Sequence, residues 1–249
     1  MKSYDESYFS MLYDVANDRL APSRIFRFLF ASFFYSLTAT GFSAFGLNQS
    51  IIGIDPIYSS VVNFFWILLV IQLLIAIPFG SMKIAYKFQK IQMILLSLVA
   101  TKLSIDTYLA FVTLTQLIET PSIVLYGGLL LCVGGIVFLL LSTLRAISRI
   151  KKGKLKRGGE GLYKFQKSKG YVSLPIIFGA TIMGGVIART YVEGIGAIYF
   201  VLFISVVIQY ALAVALPEFY LITYCKFRFK SFNMPNPRKR NRGNAINFK

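Results

Sequence analysis

Six apolar stretches, at roughly residues 25–47, 61–82, 91–114, 122–144, 174–190 and 197–223, limit this chain more than any motif does. About 20 predominantly apolar residues carry an α-helix across the ~30 Å hydrocarbon core of a bilayer. Inside lipid, a spanning segment also has to satisfy its own backbone hydrogen bonds. The chain therefore reads as an all-α polytopic integral membrane protein with six transmembrane helices. Its composition agrees: 56% of residues are apolar, 15% are charged and the mean hydropathy is +0.64. A soluble domain carries about 25% charged residues.

The connections between the stretches alternate in charge. Arg and Lys number four in 1–27, three in 83–90, ten in 145–173 and eight in 224–249, which is 25 of the 27 in the chain. The loops at 48–60 and 115–121 carry none, the turn near 189–196 carries Arg189, and Lys102 lies inside the third stretch. Positive loops stay in the cytoplasm, so the expectation is N-in and C-in, with both termini cytoplasmic in a bacterial inner membrane. Three regions follow: an amphipathic helix in 1–24, a six-helix domain in 25–223 with a basic loop at 145–173, and a basic tail in 224–249. Arg24 and Arg27 before an apolar run also suit a secretory signal. However, Asp5, Glu6, Asp14 and Asp18 do not fit the positively charged region of a signal peptide, nor an organellar transit peptide.

Residues 3–21 place Tyr4, Tyr8, Met11, Leu12, Val15 and Ala16 at helical spacing on one face, and Asp5, Glu6, Ser10, Asp14, Asn17 and Asp18 on the other. Ser3 and Glu6 fit a capping box, and Pro22 is expected to end the helix. An acidic polar face does not suit anionic headgroups. It suits a partner or the chain's own basic loop. An interfacial helix that only positions the first span is the simpler reading.

Small residues mark three spans: Ser32, Ser36, Thr40 and Ala44; Gly127, Gly128, Gly134 and Gly135; and Ala180, Gly184 and Ala188. Helices in lipid associate by close backbone approach and interhelical hydrogen bonds. These faces are therefore candidates for the bundle interior or an oligomer seam, while Phe33, Phe34, Phe64 and Phe65 are expected to meet lipid.

The third span is unusually polar, with Ser97, Thr101, Lys102, Ser104, Asp106, Thr107 and Thr113. A charge at the bilayer centre costs on the order of 2.5–3.5 kcal/mol even on lenient scales. Lys102 and Asp106 are one turn apart, so each offsets the other's cost. They form a candidate intramembrane polar site, which Arg189 and Glu193 would complete. A self-satisfied structural pair is the competing reading. Gln209 and Glu218 in the last span are weaker candidates.

The basic segments offer a second site. Lys151, Lys152, Lys154, Lys156 and Arg157 cluster in the loop, followed by Gly158, Gly159 and Gly161, which suggest a flexible segment. Arg238, Lys239, Arg240 and Arg242 cluster in the tail. Juxtamembrane cations bind anionic lipid at about 1 kcal/mol each, so anionic lipids and other protein subunits are the expected partners. Nucleic acid is disfavoured because no recognition module accompanies the charge. The pentapeptide Tyr-Lys-Phe-Gln-Lys occurs at 86–90 and again at 163–167, with a looser echo at 224–230. Aromatic and cationic residues together suit the headgroup zone.

The chain has no histidine, which excludes imidazole bases and ligands. Cys132 and Cys225 fall at different depths and are not expected to pair. No phosphate-loop, nucleophile-elbow or metal-ligand spacing is present. No catalytic residue, cofactor or metal is therefore expected, and the chain reads as a non-enzyme. The leading expectation is a non-catalytic integral subunit of a larger membrane assembly for secretion, export or the envelope. The alternatives are a transporter or exporter permease half using the polar third helix and, less strongly, a membrane immunity protein.

Overall fold

In the computed structural model of the chain, residues 4–49, 56–118, 120–162 and 194–235 are described. All regular elements among them are helical. A 3-10 turn at Glu6–Phe9 leads into α1 (Ser10–Asn17). Then come α2 (Pro22–Gln49), α3 (Pro56–Ala76) and, after a 3-10 turn at Ile77–Gly80, α4 (Met82–Lys87). Helices α5 (Gln89–Leu117), α6 (Ser122–Lys151) and α7 (Ile195–Arg228) complete the set, and a 3-10 turn at Lys230–Phe232 follows. Five of these, α2, α3 with its turn, α5, α6 and α7, are long and apolar enough to cross a membrane. The chain is thus an integral membrane protein whose regular elements, among the described residues, are all helical. The predicted span at 174–190, with Ala180, Gly184 and Ala188, lies outside the described residues, as do Ser3 and the second pentapeptide at 163–167.

Prolines set several boundaries. Pro22 does not end the N-terminal helix. That helix stops at Asn17, and Pro22 opens α2, because proline's fixed φ and missing N–H suit the first helical position. Pro56 opens α3 and Pro121 caps α6. Pro217 sits inside α7, where neighbouring helices can re-satisfy the freed carbonyl.

Helix α5 is the centre of the bundle. Just over half of its most apolar window is buried (56%), against 22% for α3 and α6. It lies between α2 and α7, with α3 beside α2 and α6 beside α7. Helices α2 and α5 run parallel: Gln92 Nε2 donates to the Pro22 carbonyl near their starts, Ser36 meets Asp106 midway, and Gly46 faces Thr113 and Leu117 near their ends. Helix α7 is antiparallel to α5, with contacts at Ser97–Thr223, Thr101–Tyr220 and Tyr108–Gln209. Helices α6 and α7 are parallel neighbours. Val124 and Ile198 share an apolar cluster near their starts, Cys132 meets Gln209 midway, and Ile150 and Cys225 share another cluster near their ends.

Close approach, rather than apolarity, decides which faces meet. Ser32, Ser36 and Thr40 of α2 are all buried, and the stripe then passes to Ser43, leaving Ala44 half-buried. On α6, three of the four glycines meet a neighbour, Gly134 most loosely, with a Cβ position 3.0 Å from the Tyr210 hydroxyl. A Cβ on Gly128 would come within 2.2 Å of the Phe111 ring, and one on Gly135 within 2.0 Å of the Gln209 amide. Gly127 faces open space. Phe34 and Phe64 are exposed, while Phe33 and Phe65 are half-buried.

The largest apolar cluster lies where α2 and α5 begin and α6 and α7 end. Phe9, Leu12 and Ala16 from the N-terminal segment, Leu155 and Leu162 from the segment after α6, and Phe232 after α7 are buried there together. Burying such a side chain from water contributes roughly 1.5–3 kcal/mol. This cluster therefore fastens the described segments before α2 and after α7 to the bundle.

Candidate functional site

The polar residues of α5 divide between two neighbours. On the α7 side, the Ser97 and Thr223 hydroxyls are hydrogen-bonded at 3.1 Å, and those of Thr101 and Tyr220 at 2.6 Å. The Tyr108 hydroxyl donates to Gln209 Oε1 at 2.9 Å, and Gln209 Nε2 donates onward to the Cys132 carbonyl at 2.9 Å. Gly135 makes room for that amide. Ser97, Thr101, Ser104 and Thr113 each also donate to a carbonyl of their own helix. These bonds let hydroxyls enter an apolar bundle at low cost.

On the α2 side stands the charged pair. Lys102 Nζ donates to Asp106 Oδ2 at 2.8 Å and to Ser36 Oγ at 3.0 Å, and the Ser36 hydroxyl donates to the same carboxylate oxygen. The Asp106 side chain is fully buried and that of Lys102 is 14% exposed. Phe65 of α3 places its ring centroid 5.8 Å from Lys102 Nζ, and Gln72 of α3 donates to Ser32 one turn away. Asp106 Oδ2 is thus saturated, whereas Oδ1 is buried with no hydrogen-bond partner among the described residues. Arg189 and Glu193, the other two residues proposed for this site, lie outside the described residues.

The second site is the basic end of the bundle. Among the described residues, the opposite end (44–49, 56–60, 112–118, 120–128 and 194–200) carries no Arg or Lys. The segment after α6, expected to be flexible, is folded as far as Leu162. Gly153 takes φ +70 to close the α6 terminus, its N–H returning to the Ile150 carbonyl. Gly159 approaches the Lys154 carbonyl so closely that a Cβ would sit 2.3 Å from it. Glu160 accepts from Arg149 at 3.2 Å and from Lys154 at 2.9 Å. The N-terminal segment sits on this loop: Met11 N–H donates to the Leu155 carbonyl at 3.1 Å, and Lys156 lies over the Tyr8 ring at 3.9 Å.

The chain after α7 is fastened to the same end. Lys226 is fully buried and donates to Gln89 Oε1 and the Phe232 carbonyl, both at 3.2 Å. Gln89 pairs with the Met234 backbone through both its amide atoms. The Ser231 hydroxyl donates to Glu6. Glu6 therefore serves the tail, and the first turn of the N-terminal segment has no side-chain cap. Arg19 and Glu218 form a 2.7 Å ion pair that ties the N-terminal segment to α7. The sequence did offer a signal for this pair, because Arg19 is the only cation between residues 3 and 23 and Glu218 the only acid of the last span.

Of the cations proposed as contact residues, Lys151, Lys152, Lys156 and Arg157 are exposed on this folded end, and Lys154 is turned toward Glu160. Arg238, Lys239, Arg240 and Arg242 lie outside the described residues. In the first pentapeptide, Phe88 marks the break between α4 and α5, Lys87 lies over the Phe88 ring, and Lys90 lies over the Phe227 ring. Comparison with known proteins finds no matching family model, no matching curated protein and no matching solved structure.

Proposed function

We propose that the protein is a non-catalytic integral subunit of a larger membrane assembly, with its basic end in the cytoplasm as the surface that meets other components. One observation carries this reading. Three segments distant in sequence, 4–20, 149–162 and 226–235, are folded together over the helix ends and present Lys151, Lys152, Lys156 and Arg157 outward. A loop that served only topology would need charge but no fold. The α7-facing polar groups of α5, in turn, are engaged in contacts between helices, which suits a scaffold.

The same reading includes six crossings in a bacterial cytoplasmic membrane, with both termini on the basic side. The parallel packing of α6 and α7 supports it, because two parallel neighbours in sequence require the chain to return across the bilayer between them. The partners fall in two classes, other protein subunits and anionic lipid. The test is mild-detergent purification from native membranes followed by mass spectrometry. A stoichiometric cohort is expected, and it should be depleted by Lys151→Glu/Lys152→Glu. A protein that purifies alone, or as a homo-oligomer, overturns the reading.

A second reading, a transporter or permease half, is favoured by the buried Asp106 Oδ1 without a partner beside Lys102. Ionisable groups at membrane depth often mark a path. Loss of solute movement in Asp106→Asn with assembly intact would select it, and unchanged movement would remove it.

A further inference from the structure

A groove of about 570 Å³ opens at the basic end, between the N-terminal segment, the segment after α6 and the 3-10 turn after α7. Its walls include Glu6, Ser7, Tyr13, Asp14, Arg157 and Phe232. Tyr13 is exposed and packs edge to face on the buried Phe232 ring with centroids 5.5 Å apart, so one aromatic ring faces the groove and is held in place from beneath. Glu6 and Asp14 are exposed, and their carboxylates outnumber the single guanidinium of Arg157. On a protein of net charge +17, this recess carries two carboxylates to one guanidinium, with the exposed Tyr13 ring beside them. Carboxylates beside aromatic faces are the chemistry that holds Arg and Lys side chains.

We propose that this groove is a receptor for a basic peptide segment, and that in the free protein the chain's own residues 236–249 occupy it. That segment carries Arg238, Lys239, Arg240 and Arg242. Phe232 lines the groove, and the chain just beyond it is fixed, because Met234 is held by Gln89 through two hydrogen bonds of 3.1 and 3.2 Å. Arg238 lies four positions beyond the fixed Met234, a reach of at most about 14 Å in extended chain. A tethered ligand at that range has an effective concentration on the order of millimolar. A basic segment of another protein has to displace it. The proposal rests on the geometry of the groove and does not depend on the assembly reading.

The test uses the full chain in lipid nanodiscs, with a photo-crosslinking amino acid in place of Ser7, which is exposed and lines the groove. Illumination is followed by peptide mass spectrometry on an equal mixture of isotopically heavy and light protein. The expected product joins residue 7 to residues 236–249 within one chain. Its yield should fall about tenfold in Glu6→Lys/Asp14→Lys, because reversed charges turn attraction into repulsion. It should return when Arg238, Lys239, Arg240 and Arg242 are all changed to Glu on that background, which separates lost docking from lost folding. Cross-links to lipid, heavy-light products from a second copy, or a yield indifferent to both charge reversals would overturn the proposal.

Discussion

Arg19 and Glu218 lie 199 residues apart in sequence and join at 2.7 Å, guanidinium Nη2 to carboxylate Oε1. The two ends of the bond differ in exposure, 42% for the Arg19 side chain and 9% for Glu218. Arg19→Ala leaves a sheltered carboxylate without its cation, whereas Glu218→Gln leaves a guanidinium that can turn to water. Discounted for the screening at Arg19, the first change should cost about 1 kcal/mol and the second less. Thermal survival of the monodisperse peak in size-exclusion chromatography measures both. A larger loss in Glu218→Gln would contradict the asymmetry.

The buried pair in α5 should behave more severely. Lys102→Met strips the ammonium from a fully buried Asp106 and leaves Ser36 as the only donor to Oδ2. Breaking a buried pair in this way costs on the order of 3–5 kcal/mol. The double change Lys102→Met/Asp106→Leu removes both charges and should recover most of the loss. If the double variant is no more stable than the single one, the pair is not a closed structural unit.

Adjacent glycines on α6 should separate cleanly. Gly128→Ala drives a methyl into the ring of Phe111, itself fully buried, and should cost about 1–3 kcal/mol through overpacking. Gly127→Ala meets nothing within 4 Å and should be neutral or slightly stabilising through reduced backbone entropy. Melting temperatures of the two variants in the same detergent decide the point. A destabilised Gly127→Ala would mean that another helix covers that face.

The proposed orientation can be read with single cysteines on a background carrying Cys132→Ala and Cys225→Ala. Ser122→Cys at the start of α6 should react with a membrane-impermeant maleimide on intact cells. Lys152→Cys, exposed at the other end, should react only after the membrane is opened. The reverse pattern would invert the topology.

How much of this was legible in the sequence depended on distance along the chain. Five long helices followed from length and apolarity, and the Lys102–Asp106 contact is local, one turn apart on one helix. The α2 stripe was also legible, since every fourth position shares a helix face. The division of α5 between two neighbours was not. Ser97, Thr101 and Tyr108 meet α7 while Lys102 and Asp106 meet α2, and a single helix cannot announce what will stand on each side. Pro22 misled because proline ends one helix and opens another with the same geometry. The loop glycines misled because freedom of the unfolded backbone also permits the positive φ that a tight turn requires. Arg19–Glu218 and the Lys226–Gln89 clasp depend on chain ends brought together by the apolar cluster beneath them.

The parallel seam between α2 and α5 bears on how the protein enters its membrane. These are the two least apolar of the five spans, with hydropathies of 1.3 and 1.5 against 2.3 to 2.6 for the rest. The charged pair is completed across this seam, α2 supplying Ser36 and α5 supplying Lys102 and Asp106. Helix α2 precedes α5 in the chain, so its Ser36 hydroxyl lacks its partner carboxylate until α5 is in place. Helix α5 follows about 70 residues later with the matching Lys102 and Asp106, so stable entry of these two helices into lipid is expected to be coupled and not independent.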